Sequence, residues 1–411
     1  MKFNIFRQRT KVIEDNYVIV SYDMASTESL EKAAWDLAVG QSVGNPNVRN
    51  EWESDELFEN HSAIILADKG EFASVKAGSI DIGFPIINTN WNEDGIAHLI
   101  CQIMGGQVDI DHIKRCRAVD IHIPDTVRKY FKKSKFGISG FRDFVDQHDK
   151  PLFGGIVKPK TGVSPQILLE MVKQMVDGGV DFIKEDEILS NPAFCTLEER
   201  VPLISNYLAK SGRKVVYCFC INSDPAYIES RAKFVANEGG NGIHINIWSG
   251  LGSYRTIRNL DLPIFIHYQK SGDKVITHKD NPFSISWVIL CELAALAGVD
   301  TIHAGMWGGY LSDDEEELTK TLSVLRTRNV LPALSCGMHP GIINATSDKF
   351  GVDSLANVGG AIHGHPGGTI AGAKAMRQAV DKKPGPEFRV AIDKWGYETN
   401  GKSMPEWVLD F

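Results

Sequence analysis

The chain has 411 residues, 43% of them hydrophobic and 23% charged, and a formal net charge of −8. This is ordinary globular composition, long enough for two domains or for one large domain with a smaller companion. Mild acidity without a basic patch argues against a nucleic-acid partner, and no stretch approaches the ~18 uninterrupted apolar residues of a membrane span.

MKFNIFRQRT turns polar too early for a secretory signal, so a cytoplasmic protein is expected. Its seven cysteines are odd in number and scattered, and Cys218-x-Cys220 has no second ligand pair nearby. Free buried thiols are therefore expected, rather than disulfides or structural zinc.

In chain order, residues 1–135 read as an α+β domain of ferredoxin-like type. VIVSYDM (18–24) is strand-like, SLEKAAWDLAVG (29–40) helical, SAIILAD (62–68) strand-like, GIAHLICQIMGG (95–106) a helix closed by glycine, and RAVDIHIP (117–124) an alternating strand. KKSKFGISGFRDF (132–144) reads as a polar linker. Residues 136–411 read as a second domain with a C-terminal helical tail.

In that second domain eight short apolar runs recur: FGGIV (153–157), VDFI (180–183), VVYCF (215–219), GIHIN (242–246), PIFIH (263–267), VDTIH (299–303), PALS (332–335) and LANVG (355–359). Amphipathic segments lie between several of them, such as SPQILLEMVKQMVDGG (164–179) and SISWVILCELAALAGV (284–299). Buried parallel strands read as such runs, and alternation with helices implies crossovers, so a (β/α)8 TIM barrel is expected, with an open doubly wound sheet as the alternative. Active sites of such barrels sit at the C-terminal strand ends. Those ends carry Lys158, Lys184, Asn222, Asn246, His267, His303, Ser335 and Gly359.

GGVDFIKEDE (178–187) ends one of the runs with a lysine followed by three acids. Asp186 and Glu187 are hard oxygen donors of the kind Mg2+ takes. A lysine beside them fits a metal only if CO2 has carbamylated it, which inverts its charge and adds two oxygens. The alternative is a Lys–Glu ion pair with acids complementing a helix N-terminus.

GGVDFIKEDE resembles the metal-site motif G-x-D-F-x-K-D-D-E of the large chain of ribulose bisphosphate carboxylase (RuBisCO). GGIVKPKTG (154–162), IHYQKSG (266–272), TIHAG (301–305), LSCGMHPG (334–341) and NVGGAIHGHPGG (357–368) follow in that family's order over nearly the whole chain. The resemblance implies Mg2+ held by Lys184 as a carbamate with Asp186 and Glu187, Glu185 standing in for a non-ligating aspartate. It implies Lys158 as general base, Lys160 in support, and His267 and His303 in proton transfer and near a phosphate. Ser335, Gly337, Gly359 and Gly360 become phosphate-binding elements, whereas His363 and His365, within the same motif, read more simply as ordinary turn residues. It also implies a homodimer, or a higher oligomer of dimers, acting on a small phosphorylated substrate.

The chain departs from the carboxylase pattern at several positions. Tyr310 stands where a carboxylase has the lysine that polarises CO2; Tyr268 replaces a phosphate-binding arginine; Gly106 takes the place of an asparagine; and Gln41–Ser42 replace a Thr-Trp phosphate contact. An uncharged phenol cannot stabilise a new carboxylate as an ammonium does. The pattern resembles that of a RuBisCO-like protein which keeps enolisation and loses CO2 fixation. The expected activity is decarboxylation of a β-keto sugar-acid phosphate, of the 3-oxo-isoapionate 4-phosphate type. The alternatives are a methylthioribulose phosphate isomerase or diketo-methylthiopentyl phosphate enolase and, in another class, a non-catalytic scaffold.

Overall fold

In the computed structural model, which describes residues 4–397, the chain divides into two compact units. One runs up to Lys132 and takes back Gly272–Ala297; the other comprises Lys133–Ser271 and the chain from Gly298 onward.

The first unit is built on β1 (Tyr17–Ser26), β2 (Ile64–Ile65), β3 (Ala77–Pro85) and β4 (Ile113–His122), with β1 antiparallel to β3 on one side and to β4 on the other. Val18, Val20, Tyr22 and Met24 are buried along β1. The helix Leu30–Gly40 starts at Ser29, whose hydroxyl accepts the Lys32 N–H, and buries Leu30, Ala33, Ala34 and Leu37. SAIILAD contributes only a two-residue strand. β3 was not anticipated, since just SIDIGF within it alternates.

The second unit contains all eight predicted barrel strands. They are β5 (Leu152–Ile156), β6 (Phe182–Lys184), β7 (Val216–Cys220), β8 (Gly242–Asn246) and β9 (Phe265–Gln269), then β11 (Thr301–Gly305), β12 (Leu331–Leu334) and β13 (Leu355–Val358), all parallel and closed on one another. Closure rules out the open doubly wound sheet. The apolar segment 284–299, read as one more stretch between barrel strands, belongs instead to the first unit. It opens as β10 (Phe283–Ile285), pairs in parallel with β4, and continues as the helix Trp287–Leu296, buried at every residue. A helix apolar all round is buried all round, so its sequence carried no face by which to place it.

The floor of the barrel is a layer of Leu152, Phe182, Val216, Cys218, Phe265, Leu331, Ala333 and Leu355. The segment read as a polar linker forms the helix Gly137–Val145, and its Phe141 packs into that layer with Phe136, Ile138, Phe144 and Val145 around it. The Phe141 ring lies 5.3 Å from that of Phe265 and 6.2 Å from that of Phe182. The linker reading failed because interspersed Lys, Arg and Asp hid the spacing of the aromatics.

Buried aspartates tie the lower strand ends together. Asp300 accepts N–H bonds from Ile266 at 2.9 Å and Phe136 at 2.8 Å and pairs with Arg258. Asp181 accepts the Phe153 N–H at 3.1 Å and pairs with Arg377 at 2.6 Å. Among the described residues no helix is long and apolar enough to cross a membrane.

Phe141→Ala should open a cavity under the barrel and lower unfolding free energy by about 3–5 kcal/mol in urea titrations. A loss below about 0.5 kcal/mol, the usual size for a surface substitution, would mean that the helix is only a connector.

Candidate active site

Strand alternation sorts the residues around β6. Phe182, Lys184 and Asp186 fall on the inner side of the barrel, Ile183 and Glu185 on the outer. Glu185, fully buried, meets Arg200 of the helix Leu197–Lys210, also fully buried. Arg200 Nε and Nη2 donate to the two Glu185 oxygens at 2.8 and 3.0 Å, and the Tyr217 hydroxyl and the Cys220 N–H complete the carboxylate at 3.1 and 2.7 Å. Burial lowers the Arg200 pKa, but Glu185 more than offsets that and leaves it above its ordinary value.

On the inner side, the Lys184 amine is 1% exposed and donates to the Glu185 carbonyl and to Glu187 Oε2, each at 3.1 Å. Asp186 Oδ2 accepts from Lys158 Nζ at 2.7 Å. Glu187 Oε1 accepts the Ser271 hydroxyl, and the Glu187 carbonyl accepts from Asn222 Nδ2 at 2.6 Å. Burial pushes the Glu187 carboxyl up, but Lys184 and Ser271 together bring it below its ordinary value, so it stays ionised.

These groups border a cavity of ≈ 460 Å³ at the C-terminal ends of the strands. Of the residues expected there, Lys158, Lys160, Asp186, Glu187, His303, Ser335, Gly337, Gly359 and Gly360 line it. Lys184, Asn222, Asn246 and His267 do not. Lys184 lies behind the acids. Asn222 and Asn246 brace the loops, the Asn246 N–H donating to Asn222 Oδ1 at 2.6 Å and its Nδ2 to the Ser271 carbonyl at 3.0 Å. His267 sits mid-strand and fully buried, because β9 runs on to Gln269. Burial, then Lys184, lowers its pKa to about 3. His303, 6% exposed, is also held well below 6.5, by burial and then by Lys270.

Two glycines make room at the wall. A Cβ on Gly337, where φ is +109°, would meet the Tyr310 N–H at 2.5 Å, and one on Gly359 would press on Lys158 Cε at 3.3 Å. Residues 306–313 after β11 close as a loop, with Met306 N–H to Asp313 Oδ2 and Asp313 N–H to the Met306 carbonyl, both at 2.9 Å. Tyr310 in that loop is 87% exposed and borders the cavity. Buried Tyr268 points outward instead, stacked on Tyr254 at 4.7 Å. His363 and His365 are held by backbone groups, at 3.1 Å from the Ile156 carbonyl and 2.9 Å from the Glu387 carbonyl. In the first unit Gln41 bonds the carbonyls of Cys101 and Gln102 at 2.9 and 2.8 Å, and Ser42 that of Ala38 at 2.6 Å.

Sequence reasoning did not anticipate Arg200, Gln269, Ser271, Asn357, His339 or Trp395; Arg200 backs the acids and the other five border the cavity. Gln269, Ser271, His339 and Asn357 lay inside the family motifs, Arg200 and Trp395 outside them.

The donor set fits a hard divalent cation. Among the described residues no three His, Cys, Asp or Glu side chains gather as a metal site, and Asp186 and Glu187 leave open the place of a third protein oxygen. A carbamate on Lys184 would supply it from an amine already 3.1 Å from Glu187.

The family model for the ribulose bisphosphate carboxylase large chain, catalytic domain, matches residues 137–327 and 321–388. A ribulose bisphosphate carboxylase of Pyrococcus abyssi is 32% identical over 93% of this chain and 94% of its own. A 2,3-diketo-5-methylthiopentyl-1-phosphate enolase of Exiguobacterium sibiricum is 28% identical over 92% of this chain and 99% of its own. Among solved structures, the octameric RuBisCO of Pyrococcus horikoshii OT3 superposes with a TM-score of 0.86 at 27% identity, covering 97% of both chains. A rubisco-like protein from Burkholderia fungorum does so at 0.80 and 25% identity, covering 92% of this chain and 100% of that one.

Two outcomes test the electrostatics. Arg200→Met leaves Glu185 buried without its partner and should cost about 3–5 kcal/mol in denaturant unfolding. His267 is depressed from 6.5 to about 3 in the folded chain, so its contribution is complete above pH 6.5 and is lost as pH falls toward 3. The slope of stability against pH in that window should flatten in His267→Gln by up to about 1.4 kcal/mol per pH unit. An unchanged slope would place the titration elsewhere.

Proposed function

The chain belongs to the ribulose bisphosphate carboxylase large-chain family, and on that premise we propose that it removes CO2 from a β-keto sugar-acid monophosphate, of the 3-oxo-isoapionate 4-phosphate type, rather than fixing CO2. One observation carries the reading. Lys158 stands at the cavity hydrogen-bonded to Asp186 at 2.7 Å, while the loop 306–313 bordering the same cavity carries Tyr310 and no lysine.

When a β-keto acid loses CO2, the carbon left behind needs a proton. We assign that delivery to the Lys158 ammonium, a reading supported by its 31% exposed side chain and by the space Gly359 leaves at its Cε. Exposed Lys160 on the same wall adds positive charge that draws an anionic substrate. Ser335 and the backbone around Gly337, Gly359 and Gly360, unshielded by side chains, would take the phosphate. CO2 capture would need a cation near the new carboxylate. Tyr310 offers only an exposed, uncharged phenol. Lys184 as its carbamate, with Asp186 and Glu187, would hold Mg2+, which when bound supplies Lewis-acid polarisation of the substrate carbonyl. Neutral His303 on the wall would exchange protons with substrate oxygens, with His267 beneath it.

The enolase relatives favour a second reading, an enolase or isomerase of a ketose phosphate in which Lys158 removes a carbon-bound proton instead. A cytoplasmic homodimer or oligomer of dimers belongs to either reading, in line with the octameric assembly named for the Pyrococcus horikoshii neighbour.

With Mg2+ and bicarbonate, the protein should release CO2 from phosphorylated β-keto acids. In D2O the product should carry solvent deuterium at the carbon that lost CO2. Lys158→Met should lower kcat by about 10²–10⁴-fold, with much less change in KM. Ribulose 1,5-bisphosphate with labelled bicarbonate should give no acid-stable label. Hydrogen exchange into a ketose phosphate without CO2 release would select the second reading, and efficient label fixation would overturn the first.

A further inference from the structure

A buried polar atom without a partner is costly, and folded chains keep few of them. Three side chains on the wall of the cavity carry such atoms. Asn357, 1% exposed in β13, leaves both Nδ2 and Oδ1 without a hydrogen bond. Gln269, at the end of β9, leaves Oε1, and His303, in β11, leaves Nε2.

The orientation of Gln269 follows from its neighbours. The Glu187 carboxylate can only accept, so the Ser271 hydroxyl donates to it, and the Ser271 oxygen in turn accepts from Gln269 Nε2 at 2.8 Å. The atom left over is therefore the carbonyl oxygen, an acceptor that needs a donor. It faces the His267 ring, whose protonated form it favours, but not in hydrogen-bonding geometry. Asn357 needs both a donor and an acceptor.

These requirements select a ligand chemistry. A phosphate or carboxylate oxygen only accepts, so it would satisfy Asn357 Nδ2 while facing the lone pairs of Asn357 Oδ1 and Gln269 Oε1. A methylthio or alkyl group would satisfy none of them. A hydroxyl both gives and takes a hydrogen bond. We propose that Asn357 and Gln269, with His303, are specificity-determining residues that read hydroxyl groups on the carbon chain of the substrate. The substrate is then a polyhydroxylated acid or ketose phosphate, and a thioether- or alkyl-bearing one is rejected. This rests on the preceding reading of the cavity as the substrate site and narrows its substrate class, whichever way Lys158 moves its proton.

The test reads binding without turnover. Calorimetry on the full chain with Mg2+ and bicarbonate would compare D-erythronate 4-phosphate with 4-phosphooxybutanoate, which has the same chain length and charges but no hydroxyls. The wild type should bind the hydroxylated probe at least about ten-fold tighter, since unpaired polar groups in a site reject the deoxy analogue. In Asn357→Leu the ratio should fall toward one through loss of affinity for the hydroxylated probe. The substitution keeps the branch at Cγ and replaces the two unpaired polar atoms by methyl groups, so the folded state should persist, checked by its melting temperature. Should the leucine variant not fold, Asn357→Ala should still collapse the ratio. Equal binding of the two probes by the wild type, no binding of either, or a ratio retained in the folded variant overturns the proposal. A hydroxyl preference that holds while no keto acid releases CO2 sinks the decarboxylase reading and leaves this one standing.

Discussion

The buried pair between Glu185 and Arg200 is the interaction on which the mouth of the barrel depends. β6 is only three residues long, so its alternation alone leaves the direction of the next side chains weakly set. Arg200 decides it by holding Glu185 on the outside, with the Tyr217 hydroxyl and the Cys220 N–H filling the remaining positions on the carboxylate. Lys184 and Asp186 are then committed to the inside. Such a pair adds little net stability over a well-packed apolar substitute, yet losing one partner strands a charge. Its contribution here is register: it converts a run of one lysine and three acids into one outward carboxylate and an inward-facing set.

Above the apolar floor lies a layer of buried, neutral imidazoles. His244, His267 and His303 are all depressed, burial being the largest cause and Lys184 contributing to each. The rings of His244 and His267 stand 6.3 Å apart, edge to face. This layer keeps water and charge away from the underside of Lys184, Asp186 and Glu187. Attraction among those groups is stronger for it, as it is wherever the local dielectric is low. The same layer is why histidines read as rim residues are partly withdrawn: His267 supports from beneath, and only His303 reaches the wall.

The scaffold is shared with relatives named as carboxylases and as enolases, so the barrel alone does not choose the reaction. Chemistry in such folds varies through the loops at the C-terminal strand ends. In this chain the variation is concrete. The loop 306–313 is closed at its base by Met306 and Asp313 and presents an exposed phenol. Tyr268 is turned outward against Tyr254, away from any ligand. Gln269 and Asn357 bring amides to the wall, where they offer hydrogen bonds rather than charge.

Eight short apolar runs with helices between them were enough to read a closed parallel barrel, because buried strands need continuous apolar sequence whatever surrounds them. The Lys-Pro-Lys segment, the acids after Lys184 and the glycines at 337, 359 and 360 were legible because each is a local pattern. The helix Gly137–Val145 was not: its charged residues obscure aromatics whose purpose appears only once a barrel floor exists to receive them. The segment 272–297 was misplaced because a helix buried on every side has no periodicity to reveal its neighbours. Arg200, Ser271 and Asn357 were missed since each matters through a partner far away in sequence, or through the lack of one. The sequence by itself determined the family of fold and the residue types at the strand ends. Only the tertiary structure decided which of them face the cavity, because burial, pairing and side-chain direction are properties of strands brought together, not of any one of them.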